Sequence, residues 1–175
     1  MIYLETPRLR IRDWEKRDIP PLVAMNGDSR VMEYFPHPYT EAETMDQYNR
    51  INEEFIDFGY GLYVLERKED NAFLGFTGFH NFNFLADFSP GVEIAWRIKF
   101  EEWNKGYVTE AAKGCLEYAK KNLFFKEVFS FTAIQNKRSE RVMQKIGMEK
   151  IKEFDHPNVP ENHWLKQHVL YKTLL

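Results

Sequence analysis

One stretch constrains the fold more than any other. Val92-Glu93-Ile94-Ala95-Trp96-Arg97-Ile98 is followed, after a short loop, by Gly106 and an amphipathic run. In that run Val108, Ala111, Ala112, Cys115, Leu116 and Ala119 recur at helical spacing and make one apolar stripe. The unit reads as strand, glycine turn, helix, and the helix must lay its stripe on a sheet. In the strand, Val92, Ile94, Trp96 and Ile98 share one face, and Glu93, Ala95 and Arg97 share the other. A helix opening on a glycine turn presents free amide N–H groups and the positive end of its dipole, which together hold phosphate. Gly106 has no side chain to keep a phosphate from the backbone. The same residues also make an ordinary turn before a helix. The P-loop pattern and the G-x-G-x-x-G fingerprint are both missing here, which argues against a nucleoside triphosphate or NAD.

The remaining chain supplies partners for that unit. Alternation predicts strands over 8–12, 61–67, 73–82, 127–133, 148–154 and 164–173. Residues 18–25 and 29–34 are expected as short helices. Thr40-Glu41-Ala42-Glu43 fits a capping box and opens a helix to about residue 58, with Gly59 as its stop. Residues 68–71 form a polar turn, and Pro36 and Pro38 keep 35–39 in a loop. Residues 106–121 and 137–146 are helical, the second stopped by Gly147. There is no repeat or linker, and 175 residues suit one domain, 1–175. The order predicts a mixed α/β domain with a central, mostly antiparallel twisted sheet and helices on both faces.

Composition narrows the function classes. Acids number 27 against 24 bases, a net charge of -3, so a broad nucleic-acid surface is not expected. No apolar run could span a bilayer, and charges interrupt the first residues, so a cytoplasmic protein without a membrane partner is expected. The single cysteine, Cys115, lies in the apolar stripe and reads as core rather than nucleophile. The five histidines are scattered at 37, 80, 156, 163 and 168 without zinc spacing, and no metal is expected. Phe73, Phe76 and Phe79 read as core packing rather than an RNA-stacking strand.

Four segments in order resemble the GNAT superfamily of acyl-CoA-dependent N-acetyltransferases, and within it the branch that acetylates the N-termini of ribosomal proteins. They are Glu5-Thr6-Pro7-Arg8-Leu9-Arg10-Ile11-Arg12, the strand over 92–98, Trp103-Asn104-Lys105-Gly106-Tyr107-Val108-Thr109-Glu110-Ala111, and Asn136-Lys137-Arg138-Ser139 leading to Lys145-Ile146-Gly147-Met148. The resemblance covers nearly the whole chain. Trp103 and Val108 stand where the superfamily usually has Gln or Arg and a small residue, and Asn104 stands where this branch commonly has Gly.

The resemblance implies acetyl-CoA as cosubstrate. Its pyrophosphate would sit on Trp103, Asn104, Lys105, Gly106, Tyr107, Val108 and Thr109, and its pantetheine arm would pair with the backbone of Trp96, Arg97 and Ile98. Asn136 would cap its helix, bind the pantetheine arm, or both. Ser139 would lie near the cofactor sulfur. Glu93 would bind or deprotonate the acceptor amine, directly or through water, because an ammonium must lose a proton before it attacks. The plain alternatives are an exposed sheet-face carboxylate for Glu93 and a first-turn helix serine for Ser139. Tyr34, Phe35 and His37 are candidates for the amine pocket. The implied acceptor is a protein N-terminal α-amine; a small-molecule amine, amino acid or antibiotic, or a non-catalytic acyl-CoA-binding module, remain open. Either a monomer or a homodimer is compatible.

Overall fold

The chain begins with a hairpin. In the computed structural model, which describes residues 1–175, β1 (Ile2–Glu5) and β2 (Leu9–Arg12) pair antiparallel around Thr6-Pro7-Arg8. Only the second strand is legible in the sequence, because β1 is a four-residue edge strand with both ends exposed and no clean alternation. Pro20 and Pro21 open α1 (Ile19–Asn26), where missing amide donors cost little. The helix expected over 29–34 is a run of turns instead. Asp28 Oδ1 accepts from the Arg30 N–H at 2.9 Å, an Asx-type bond that competes with helix, and Pro36 follows. The capping box of α2 (Glu41–Phe58) is present, with Glu43 N–H on Thr40 Oγ1 at 3.2 Å and Thr40 N–H on Glu43 Oε2 at 2.8 Å.

β3 (Leu62–Arg67), β4 (Phe73–Phe82) and β5 (Gly91–Ile98) extend the sheet antiparallel. Then come α3 (Tyr107–Asn122), β6 (Glu127–Ala133), α4 (Lys137–Lys145), β7 (Glu149–Asp155) and β8 (Gln167–Leu174). The last strand starts three residues later than expected, since 160–166 is held in turns by Lys166 N–H on His163 O at 2.9 Å and His163 N–H on Pro160 O at 3.2 Å. The eight strands run β1-β2-β3-β4-β5-β6-β8-β7, and every neighbouring pair is antiparallel except β5 and β6.

The two faces of the sheet carry separate cores. α3 and α4 cover one, where Ile94, Ile98, Val128 and Phe79 meet Ala111, Cys115, Ala119 and Met143. α1 and α2 cover the other, where Leu22, Met25 and Ile51 pack on Leu62, Val64, Phe73 and Phe76. Phe73 and Phe76 reach the same side because a register shift opposite Leu65 and Glu66 inserts a residue into β4. Cys115 is fully buried, and burial pushes its thiol up to about 12, so it is inert packing. No helix of the chain is long and apolar enough to cross a membrane.

Candidate active site

The site exists because two parallel strands separate. β5 and β6 register at one pair, Glu93 with Phe129, and the Ser130 hydroxyl donates to the Ile94 carbonyl at 3.0 Å. Beyond that point their carboxyl ends diverge, and the helices that follow them, α3 and α4, both aim their N-termini at the gap. Such a crevice at the carboxyl ends of strands is where open α/β sheets bind ligands. Its volume is about 380 Å³. Trp96, Arg97 and Ile98 at the end of β5 line it, with Trp96 and Ile98 on one face of the strand and Arg97 on the other. Val31, Tyr34 and Phe35 add a wall from the turns after α1. His37 is not part of that wall; its Nε2 lies 2.8 Å from Glu43 Oε1 on the surface.

On the α3 side, Gly106 is the N-cap with φ 78° and no side-chain cap bond. The first intrahelical bond runs from Glu110 N–H to Gly106 O at 3.0 Å, so the N–H groups of Tyr107, Val108 and Thr109 have no acceptor within the helix. All three residues line the crevice, as do Trp103, Asn104 and Gly106. Glycine is needed here for its left-handed backbone rather than for clearance, because a Cβ would meet only Arg8 Nη2, at 3.5 Å. Asn104 also takes a positive φ, 61°, which explains how it replaces a glycine: Asn tolerates that region better than other side chains. Trp103 donates its indole N–H to the Ile98 carbonyl at 3.0 Å and so plugs the end of β5. Lys105 does not line the crevice; its ammonium pairs with Glu102 at 3.0 Å. The turn is tied to the chain's opening hairpin. Glu110 Oε1 accepts from Thr6 Oγ1 at 2.6 Å, and Glu110 Oε2 accepts from Arg8 Nε at 2.6 Å.

On the α4 side, Asn136 caps the helix by accepting the Ser139 N–H at 3.3 Å, and its amide donates to Thr132 Oγ1 at 3.0 Å and Ser139 Oγ at 3.2 Å. Both amide hydrogens are thus spent inside the protein, and Asn136 also lines the crevice. Ser139 Oγ also receives the Trp96 indole N–H at 3.3 Å. With two donors on its lone pairs, the hydroxyl keeps its own proton free to give into the crevice.

Glu93 and Arg97 lie on the opposite face of β5, as the alternation predicts. Glu93 is part-buried and is not in the crevice wall. It stands across from His80 on β4, whose Nδ1 is 2.8 Å from Glu54 Oε1 on α2. Burial, aided by the Glu54 charge and opposed by His80, pushes the Glu93 carboxyl up to about 7. The bond to Glu54 raises His80 and favours its protonated form. Arg97 is buried, and its Nη1 donates to Asn26 Oδ1 at 2.6 Å and Gln47 Oε1 at 3.4 Å.

Comparison with known proteins bears on this geometry. A family model described as an acetyltransferase (GNAT) domain matches residues 8–149. The chain belongs to the GNAT acetyltransferase family. A Bacillus subtilis (strain 168) protein named as an uncharacterized N-acetyltransferase, YnaD, is 30% identical over 152 residues, 84% of this chain and 82% of that protein. A GNAT-family acetyltransferase from Bacillus anthracis superposes with a TM-score of 0.80 at 27% identity, over 99% of this chain and 98% of that one. The fold also matches a Vibrio cholerae spermidine N-acetyltransferase solved with CoA and spermine, with a TM-score of 0.72 at 15% identity, over 95% of each chain.

Within this GNAT domain the structure adds residues that the sequence did not single out. Glu54 and His80 belong to the Glu93 cluster, His80 from the neighbouring strand β4 and Glu54 from α2, which lies far from it in sequence. The Thr6–Arg8–Glu110 clamp joins two of the four resembling segments. No periodicity signals either contact; each depends on how distant elements stack.

Proposed function

We propose that the chain transfers the acetyl group of acetyl-CoA to a primary amine in a ternary complex, the acceptor being a protein N-terminal α-amine of the ribosomal-protein type. The observation that carries this reading is a crevice lined by the N-terminal turns of α3 and α4 and also by Arg97 and the turns after α1. It lets a cosubstrate lie along the α3 and α4 side while an amine arrives from the α1 and α2 side. The donor set fits acetyl-CoA: three free helix amides suit a pyrophosphate, and a free serine proton suits a sulfur.

The bound thioester would supply an electrophilic carbonyl carbon and a thiolate leaving group. Glu93, through water, takes the proton that the ammonium must lose. A bond then forms between the amine nitrogen and the acetyl carbon, the carbon–sulfur bond breaks with its electron pair going to sulfur, and the second proton leaving the nitrogen passes through solvent to the thiolate. Ser139 donates its free O–H to that sulfur and disperses the charge. Trp96 and Asn136 hold the hydroxyl in position.

With Glu93 pushed up to about 7 as the base, the amines' own acidities favour an α-amine over a lysine or polyamine. An α-ammonium near 7.7–8.0 passes its proton to such a base at a cost of about 1 kcal/mol, whereas an alkylammonium near 10.4 costs about 4–5 kcal/mol. The test is thiol release from acetyl-CoA with matched peptides. One carries a free N-terminus and no lysine; the other has a blocked N-terminus and one lysine. The free N-terminus is expected to be acetylated at least tenfold faster. Equal rates, or a preference for lysine, would overturn the α-amine reading.

A further inference from the structure

Two arginines are buried in this fold, and they are treated differently. Arg12, 5% exposed, is held by Asp18 and Glu66, each at 2.8 Å, so its charge is neutralised inside the protein. Arg97, 8% exposed, has no carboxylate within 4 Å of its guanidinium. Its Nη1 donates to the amide oxygens of Asn26 and Gln47, the neutral Tyr39 phenol lies beside it, and its Nε–H is buried without any partner. The rings of Phe35, Tyr39 and Phe76 stand 4.5, 5.4 and 5.3 Å from its central carbon. Aromatic faces attract a cation but do not neutralise it. A buried charge normally comes with its counter-charge, because desolvation is otherwise uncompensated.

Arg97 also occupies a functional position. It lines the crevice from the α1 and α2 face, the side assigned to the acceptor, while its neighbours Trp96 and Ile98 line the other side. It shares its face of β5 with Glu93, and only Ala95, which fills little space, separates them. The strand is held rigidly there: a Cβ on Gly75 of β4 would come within 2.1 Å of the Arg97 carbonyl oxygen, so the two backbones are in close contact. That face of β5 therefore carries an acid and an unneutralised cation with a small residue between, and of the two only Arg97 lines the crevice.

We propose that Arg97 is a specificity residue which binds a carboxylate that the acceptor carries close to its nucleophilic amine. The proposal rests on the acetyl-transfer reading above. A carboxylate supplies one negative charge to one guanidinium and acceptors for its idle N–H groups. It would come either from the α-carboxylate of a free amino acid or from an acidic side chain beside a peptide's N-terminus. Cationic polyamines would be rejected, because they would bring a second positive charge against Arg97.

The test uses the whole chain with acetyl-CoA and reads thiol release. One set of acceptors pairs free amino acids with their carboxamides. A second pairs short peptide amides bearing Asp or Glu at the first two positions with the same peptides bearing Asn or Gln. At least one set is expected to show kcat/KM favouring the carboxylate member tenfold or more, and that set names the source of the charge. Arg97→Gln should bring the ratio to about one, and Arg97→Lys should recover part of it. The wild-type ratio is informative by itself even if a variant does not fold. Acetylation of carboxylate and amide members alike, or a ratio unmoved in folded Arg97→Gln, overturns this proposal alone. No transfer to any amine overturns the acetyl-transfer reading and this proposal with it.

Discussion

Glu93 gains its chemistry from neighbours that it does not bond. Its carboxyl is pushed up to about 7 by burial, with Glu54 adding repulsion and His80 opposing. As a base it works only when ionised, so the acid limb of kcat/KM should fall near pH 7. Glu93→Gln is expected to lower kcat/KM at least tenfold at pH 8 and to abolish that limb; an unchanged profile would remove Glu93 from the mechanism. The same shift has a sign in stability. A carboxyl raised in the folded state binds its proton more tightly there than when unfolded, so it favours folding at low pH and loses that contribution as pH rises towards 7. Glu93→Gln should therefore melt higher than wild type at pH 8, with the gap closing near pH 4, as thermal melts across pH would show. At this scale the sequence was partly legible. Alternation places Glu93 and Arg97 on one face correctly, because period two is built into a strand. It does not reveal that Arg97 lacks a counter-charge, because Asn26 and Gln47 reach it from other elements.

Elements explain why short, loose segments identify this site. The turn before α3 needs two left-handed residues, Asn104 and Gly106, and the sequence marks both positions but not that conformation, which only the backbone shows. The helices, most strands and the capping box of α2 were legible because each is set by local spacing. The turns at 29–34 and the edge strand β1 were not, since one is decided by an Asp28 side-chain bond and the other by pairing with β2. Gly106→Ala tests the turn. Forcing a Cβ into the left-handed region costs about 1–2 kcal/mol. For a domain of this size that lowers the melting midpoint by about 2–8 °C. Relaxing the turn also re-aims the Tyr107, Val108 and Thr109 amides, so acetyl-CoA affinity should fall. Calorimetric titration showing unchanged affinity in the destabilised variant would detach those amides from the cosubstrate.

The whole molecule is a sheet joined across a seam. β1 to β5 form one part and β6 to β8 the other, and β5 and β6 register at a single pair. α3 bridges the seam on one face, and the Arg138–Glu33 ion pair, at 2.6 Å, bridges its mouth. Arg138 also lies 4.4 Å over the Trp103 ring, so both rims of the crevice meet at one side chain. That ion pair is exposed on both sides and is worth little by itself. A ligand held by the α3 amides on one rim and Ser139 on the other would therefore become a main tie across the seam. Binding to the folded state alone adds about 2.7 kcal/mol of stability at 100 times the dissociation constant. Acetyl-CoA should raise the midpoint by about 5–10 °C, while ATP, comparable in phosphate charge, and NAD, which shares the adenosine pyrophosphate, both lack the pantetheine arm and should raise it much less. Equal shifts with all three would reduce the crevice to a phosphate site. No shift with acetyl-CoA would mean that Trp103 and Val108, where the family usually carries other residues, close the α3 rim to it.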